Sequence, residues 1–310
     1  MSLALLFPGQ GAQQPLMLRN LPTSAAVIET IDESGWKIDD LDTAAALQST
    51  VSVQVALLVA GVACARALTA EYGLAPRFVA GHSVGAFAAA VAAGVITLTE
   101  ALAAVELRGR LMEQACAERD WGMAAVSGLP TRAAAEVARQ AGTDSEPLWV
   151  ANVNSATQTV LSGTASALHA GATAAERAGA LNYERLDVAV ASHCPLQDET
   201  AHSMAAHLAT LPRRQPTARY LTNTRGRATT SADTVLDDLA QSVARPVQWY
   251  DATRLMGELG VTCAVESAPG HVLSRLLASN TPSIAAIPLE HNGFATTAER
   301  ARRILRTDQS

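Results

Sequence analysis

Hydrophobic residues in this chain form short apolar runs separated by longer stretches of helical composition. The runs at 3–7, 77–80 and 262–266 are mostly apolar. Such runs are typical of parallel strands covered on both faces, because neither face then needs polar side chains. The stretches at 50–68 and 86–93 are rich in alanine and other helix-forming residues. Strands that alternate with helices in this way predict an α/β fold built on a parallel sheet.

The middle of the chain has a different pattern. Its β-type and helical runs follow the order β-α-β-β-α-β, which is typical of a ferredoxin-like unit. We predict strands at 123–126, 148–151, 159–162 and 183–190, and helices at 131–141 and 166–179. The expected architecture is a large α/β-hydrolase-like domain, formed by 1–119 and 189–310, with a small ferredoxin-like α+β domain inserted at 120–188.

One motif in the predicted parallel sheet carries chemistry. Gly81-His82-Ser83-Val84-Gly85 follows the run at 77–80 and precedes the helical stretch. A strand, G-x-S-x-G and a helix in that order are what a nucleophile elbow requires. The serine must stand on a sharp turn, and a Cβ at either glycine would collide with a neighbouring element. Ser83 is therefore the candidate nucleophile for covalent acyl transfer, although a Gly-Ser turn without catalytic purpose stays open on the motif alone.

Composition narrows the class of protein. The chain has 310 residues, of which 49% are hydrophobic and 17% charged, as expected of a globular protein. A net charge of −6 and an aromatic content of 4% argue against nucleic-acid binding.

The four cysteines are scattered without C-x-x-C spacing, so no metal site or disulfide framework is expected, and a reducing cytoplasmic setting fits. The apolar start ends at Pro8-Gly9 and is too short for a signal peptide or a membrane span.

An arginine lies where a core residue is expected. Arg108 falls between Val105 and Met112 in an apolar helical stripe. It could extend along the helix or pair with Glu106 or Glu113, which is the common behaviour of such residues. Alternatively, its guanidinium could bind the carboxylate of a substrate with two parallel hydrogen bonds.

A nucleophilic serine needs a base, because its hydroxyl reacts slowly until an imidazole accepts the proton. His193 follows an apolar strand-like run and is the best candidate among the seven histidines. His82 adjoins the nucleophile on a tight turn, so we expect its role to be structural. His271 is expected at a helix start.

Several segments taken together resemble the malonyl-CoA:acyl-carrier-protein transacylase family. They occur in the family's order and extend over most of the chain. They lie at 7–13, 54–58, 81–85, 106–109, 192–194 and 246–249.

The resemblance implies a catalytic group around Ser83. His193 would be its base, and Gln248 would orient the imidazole where a hydrolase carries an acid. The backbone amides of Gln10 and Val84 would form the oxyanion hole, because two fixed donors stabilise the negative oxygen of a tetrahedral intermediate.

The resemblance also implies substrate contacts. Arg108 would bind the free carboxylate of the malonyl group, and Gln54 would line the pocket from a helix. Asn154 would lie on a loop at 152–155 that faces the cleft between the two units. The enzyme would hold no permanent cofactor, with malonyl-CoA as substrate and coenzyme A as product.

The expected partner is an acyl carrier protein, malonylated by a ping-pong route. Ala86 stands where fatty-acid-synthesis members usually carry glutamate, Gln13-Gln14-Pro15 extends the first loop, and 49–54 has the sequence Ser-Thr-Val-Ser-Val-Gln. These features resemble the epsilon subunit of malonate decarboxylase, whose carrier subunit bears a phosphoribosyl-dephospho-coenzyme A arm. The alternatives are a transacylase of fatty-acid synthesis, a serine esterase or thioesterase, and a non-catalytic scaffold that binds a carrier. The esterase lacks support because no His-Gly-Gly-Gly loop is present.

Overall fold

The computed structural model describes residues 2–307. The strands are β1 (Ser2–Phe7), β2 (Phe78–Gly81), β3 (Trp121–Ser127), β4 (Leu148–Ser155), β5 (Gln158–Thr164), β6 (Asn182–Arg185), β7 (Arg219–Leu221), β8 (Ala228–Thr229), β9 (Val261–Glu266) and β10 (Ala285–Pro288). The α-helices are α1 (Ala25–Ser34), α2 (Thr50–Arg66), α3 (Gly85–Ala92), α4 (Leu98–Ala115), α5 (Thr131–Ala141), α6 (Ala165–Arg177), α7 (Asp198–Ala209), α8 (Ala232–Gln241), α9 (Trp249–Glu258), α10 (Val272–Asn280) and α11 (Gly293–Thr307).

The larger sheet confirms the expected parallel architecture. Its strand order is β10-β9-β1-β2-β7-β8, and every pair is parallel except β7 with β8. All positions of β1 and β2 are buried, because helices cover both faces of the sheet. The carboxyl ends of β1 and β2 therefore meet at one edge, where ligands bind in open α/β sheets.

Helix α2 is a long apolar helix of this core. The segment Thr50–Glu71 is long and apolar enough to cross a membrane by length and composition, with a mean hydropathy of 1.9 over an 18-residue stretch. However, 83% of that stretch is buried inside the protein, as in the core helix of a globular domain. Its apolar character is therefore accounted for by packing against α1, α3 and α4.

The smaller sheet is ferredoxin-like. Its order is β4-β5-β3-β6 with antiparallel neighbours, and α5 and α6 pack on one face. Side chains alternate along β3: Ala124 and Val126 point to the helices, whereas Met123 packs with Val160 on the other face. That second face is turned to the cleft between the sheets.

Two local predictions about this unit are wrong. The strand predicted at 183–190 ends at Arg185, because β6 pairs with β3 only from Ala124 to Ser127 and the chain then leaves the sheet. The segment 152–155, predicted as a loop, belongs to β4. Its backbone is held on a second side by Val247, which accepts a hydrogen bond from the amide of Val153 at 2.8 Å.

Candidate active site

Ser83 stands on a strained turn between β2 and α3. Its φ is +53°, a left-handed value that non-glycine residues seldom adopt. A Cβ on Gly81 would lie 2.1 Å from the backbone of Gly85, and a Cβ on Gly85 would lie 2.2 Å from the carbonyl oxygen of Phe7. Both glycines are therefore required for the helix to begin so close to the sheet.

His193 bonds to this serine from the far side of the site. Its Nε2 lies 2.8 Å from Oγ of Ser83, and its Nδ1 lies 2.5 Å from the carbonyl oxygen of Ser242. A carbonyl can only accept, so Nδ1 carries the proton and Nε2 accepts from the serine hydroxyl. Like Ser83, His193 has a positive φ, at +61°. The pair has the geometry of a nucleophile and its general base.

The surroundings keep this imidazole neutral. Burial lowers the pKa of His193 to about 3, and the positive charge of Arg108 acts in the same direction. Loss of water disfavours the charged imidazolium, and a nearby cation adds repulsion. At neutral pH, His193 is therefore in the unprotonated form that a general base requires.

The structure contradicts the orienting role predicted for Gln248. The group that holds Nδ1 of His193 is the main-chain carbonyl of Ser242. Gln248 instead acts through its backbone, since its amide donates to the carbonyl of Asn223 at 2.7 Å just before α9 begins. A backbone acceptor has no residue type to mark it, so the sequence held no signal for Ser242.

Arg108 reaches the nucleophile from α4 and is 1% exposed. Its Nη2 donates to Oγ of Ser83 at 3.2 Å, and its Nη1 donates to Oε1 of Gln54 at 2.8 Å. Both of these hydrogen-bond partners are neutral groups. Within residues 2–307, the buried Nε of Arg108 has no hydrogen-bond partner. Burial lowers the pKa of Arg108 to about 10, which still leaves the guanidinium charged at neutral pH.

The two glutamates that could have paired with Arg108 are hydrogen bonded to other groups. Glu106 accepts from Nε1 of Trp36 at 3.1 Å, and Glu113 accepts from the amide of Thr50 at 2.7 Å. The prediction that Arg108 faces the site rather than a structural acid is therefore supported by the contacts of both carboxylates.

The predicted oxyanion donors lie beside Ser83. Val84 is the residue from which α3 begins, and Gln10 lines the cavity above the serine. Within the described part of the chain, neither amide nitrogen is hydrogen bonded to another protein group. Neither N–H group is therefore committed to an acceptor in the protein.

The cavity above Ser83 has a volume of about 390 Å³. The large unit contributes Met112 and His193 to its wall, and β4 contributes Asn152. Oδ1 of Asn152 is buried and has no hydrogen-bond partner in the part of the chain that the structure describes. Asn154, the predicted contact, lines an adjoining cavity of about 310 Å³ and lies 3.2 Å from Nε2 of His82.

Asn223 was missed by the sequence reasoning. Its Oδ1 accepts from the amide of Ser83 at 2.9 Å, and its Nδ2 donates to the carbonyl of Gly81 at 2.9 Å. One side chain therefore holds both sides of the elbow. The available signal was a polar Thr222-Asn223-Thr224 segment directly after a buried strand of the sheet.

Asp238 fixes Asn223 in turn. Its buried carboxylate accepts from the amide of Asn223 at 2.8 Å, the amide of Thr224 at 2.9 Å and the hydroxyl of Tyr220 at 3.0 Å. Burial raises the pKa of Asp238, while these hydrogen bonds oppose the rise. The elbow thus rests on a buried polar network whose members satisfy one another.

Comparison with known proteins agrees with this geometry. The model of the acyl transferase domain family matches residues 4–302. The malonyl-CoA:acyl-carrier-protein transacylase of Escherichia coli K12 is 34% identical over 305 residues, which covers 93% of this chain and 98% of the relative. The chain belongs to the malonyl-CoA:acyl-carrier-protein transacylase family. It is therefore an acyltransferase.

Other members of the transacylase family extend the likeness. The Haemophilus influenzae transacylase is 35% identical over 282 residues, covering 88% of this chain and 90% of the relative. Among solved structures, the Coxiella burnetii transacylase has a TM-score of 0.91 at 29% identity, with 98% of both chains covered. A malonyl-transacylase solved in complex with a type II polyketide-synthase acyl-carrier protein also has a TM-score of 0.91, at 30% identity, with coverage of 97% and 100%.

Proposed function

We propose that this enzyme moves a malonyl group from malonyl-CoA to the thiol arm of an acyl carrier protein, through a malonyl ester of Ser83. The observation that carries the proposal is the buried guanidinium of Arg108 at 3.2 Å from the nucleophile. A buried cation is costly unless an anion pairs with it. The hydrogen-bond partners of Arg108 within residues 2–307 are neutral groups. An acyl group that ends in a carboxylate supplies the missing charge.

In the first half of the reaction, His193 takes the proton of Ser83 and Oγ attacks the thioester carbonyl. The amides of Gln10 and Val84 donate to the oxygen that becomes negative, and Arg108 holds the malonyl carboxylate. The tetrahedral intermediate collapses, the carbon–sulfur bond breaks, and His193 protonates the departing thiolate of coenzyme A. In the second half, the carrier thiol gives its proton to His193 and attacks the ester, which regenerates the Ser83 hydroxyl.

Two kinds of carrier protein could accept the malonyl group from Ser83. The named relatives are malonyl-CoA:acyl-carrier-protein transacylases, and they favour an ordinary acyl carrier protein over the malonate decarboxylase carrier. The malonate decarboxylase prediction rested on few positions, including Ala86. That residue is fully buried in α3, so its side chain is remote from any docking carrier.

Malonyl transfer to two purified carriers tests the proposal. We expect the holo acyl carrier protein of fatty-acid synthesis to be malonylated at least tenfold faster than the malonate decarboxylase carrier with its phosphoribosyl-dephospho-coenzyme A arm. Faster transfer to the decarboxylase carrier would reverse the choice of partner. Acetyl-CoA serves as the control donor, because it lacks the carboxylate that Arg108 would bind.

A further inference from the structure

Two histidines and a glutamate meet outside the catalytic cavity. His271 follows β9 in the loop that leads into α10, and Glu290 and His291 follow β10. Because β9 and β10 are parallel neighbours, their carboxyl ends lie side by side. Nδ1 of His271 lies 3.8 Å from Oε2 of Glu290, and Nε2 of His291 lies 3.9 Å from the same oxygen.

One atom of this group lacks an interaction that it needs. Nδ1 of His271 is shielded from solvent and has no hydrogen-bond partner within residues 2–307. A buried polar atom without a partner is uncommon, and an ion is one of the recognised reasons for it. The atom is turned towards Glu290 at a distance too long for a hydrogen bond but short enough for a shared ligand.

The spacing fits a small divalent cation. One ligand atom from each of the three side chains can be chosen so that all lie within 4.8 Å of one another. A tetrahedral zinc ion with ligands at about 2.0–2.2 Å holds its ligand atoms about 3.4 Å apart. Small side-chain rotations of His271 and His291, which are 40% and 59% exposed, would close the difference.

A second contact orients the carboxylate. Nε2 of Gln14 donates to Oε1 of Glu290, which leaves Oε2 turned towards the two histidines. Partners that hold a ligating carboxylate in this way are a regular part of metal sites. Gln14 also belongs to the loop that carries Gln10, so an ion held here would tie that loop to the ends of β9 and β10.

We propose that His271, Glu290 and His291 form a binding site for Zn²⁺ or a similar borderline divalent ion. Two imidazoles and one carboxylate are a donor set that such ions prefer, with the remaining positions left to water. Mg²⁺ and Ca²⁺ prefer sets of oxygen ligands, so the site discriminates against them. The sequence prediction of no metal site considered cysteine spacing, whereas this group arises from two segments that the sheet brings together.

Isothermal titration calorimetry of the full chain, stripped of metal with a chelator and then dialysed, tests the proposal with ZnCl₂ as the probe. We expect about one equivalent of Zn²⁺ to bind to the wild type. His271→Gln and His291→Gln should each weaken binding at least tenfold, and MgCl₂ should give no comparable binding.

His202→Gln is the matched control, because His202 and Glu199 form an exposed pair with a 3.7 Å separation but have no second histidine in the group. This variant should bind Zn²⁺ as the wild type does. Thermal unfolding without metal checks that the substituted proteins are folded, and added Zn²⁺ should raise the Tm of the wild type more than that of the double variant His271→Gln/His291→Gln. Equal affinity of the wild type and the double variant, or an equal loss in His202→Gln, would overturn the proposal.

Discussion

The two sheets contribute differently to the catalytic cavity. The parallel sheet and its helices supply Ser83 and His193 to the cavity wall. Arg108 bonds to Ser83 and Gln54 bonds to Arg108, and all four side chains are buried. The antiparallel sheet supplies Asn152, whose side-chain Oδ1 has no hydrogen-bond partner among the described residues. The groups that react are therefore preorganised, whereas the small unit presents an unsatisfied polar atom to whatever enters.

The difference follows from how each sheet is built. Strands of the parallel sheet are covered on both faces, and the turn at the carboxyl end of β2 is held by two hydrogen bonds from the side chain of Asn223. The antiparallel sheet packs helices on one face and leaves the other turned to the cleft. Substitutions in the large unit should therefore change the rate of the chemical step, and substitutions on the cleft face of the small unit should change substrate binding.

The largest expected effect is that of Arg108→Ala. Removing one partner of a buried charge pair costs about 2–5 kcal/mol, so kcat/KM for malonyl transfer should fall about 30-fold or more. Acetyl transfer should be unchanged or improved, because acetyl has no carboxylate to lose. Arg108→Lys keeps the positive charge but lacks the planar guanidinium. Its kcat/KM for malonyl transfer should therefore lie between those of the wild type and Arg108→Ala.

Steady-state kinetics with both donors provide the measurement for Arg108. Equal losses for malonyl and acetyl would contradict its assignment to the carboxylate.

The pH profile of acylation should differ from that of an exposed histidine. An imidazole with the ordinary pKa of about 6.5 would be about 97% protonated at pH 5, and a rate that depends on the neutral form would fall about 30-fold. The pKa of His193 is lowered to about 3, so the neutral base persists and the rate should remain nearly level from pH 8 to pH 5.

Single-turnover acylation measured across this range tests the shift, with circular dichroism to confirm that the protein stays folded. His82 is close enough to act on His193, but burial lowers its own pKa to about 4, so it should also remain neutral above pH 5. An inflection near pH 6.5 would show that His193 is not buried as described.

Asn223→Ala should lower kcat about tenfold. The substitution leaves the buried amide of Ser83 without its acceptor, which costs about 1–3 kcal/mol and loosens the turn that aims the hydroxyl. Asn280→Ala is the matched control, because Asn280 is also buried but makes its hydrogen bonds away from the elbow. Its side chain donates to the carbonyl of Asn154 and to the hydroxyl of Thr253.

Both asparagine variants should lose stability in thermal unfolding, but only Asn223→Ala should lose turnover beyond what unfolding explains. Equal turnover in the two variants would remove the positioning role from Asn223.

The smallest expected effect belongs to the small unit. Asn152→Ala removes a free carbonyl from the cavity wall, so KM for malonyl-CoA should rise about threefold while kcat changes little. Asn154→Ala, on the same strand but bonded to His82, should leave KM nearly unchanged. A loss of kcat in Asn152→Ala without a rise in KM would contradict the division of labour between the two sheets.

Local patterns made much of the fold and site accessible from sequence. The elbow around Ser83 is a contiguous motif whose glycines are each required by a close backbone approach. The buried position of Arg108 follows from its place in an apolar stripe of α4.

Features that depend on contacts between distant segments could not be predicted in this way. Three examples depend on which backbone lies opposite. They are the bond from His193 to the carbonyl of Ser242, the strand formed by 152–155 despite its loop-like composition, and the early end of β6 at Arg185. Asn223 belongs to the same class, because its partners are Gly81 and Ser83, about 140 residues earlier in the chain.

The most direct test of the central claim is mass spectrometry of the intact protein after brief exposure to malonyl-CoA, followed by peptide mapping. The account predicts one malonyl group per chain, located on Ser83, absent from Ser83→Ala and discharged when a holo acyl carrier protein is added. An unmodified wild-type protein, or a malonyl group on another residue that persists in Ser83→Ala, would contradict it.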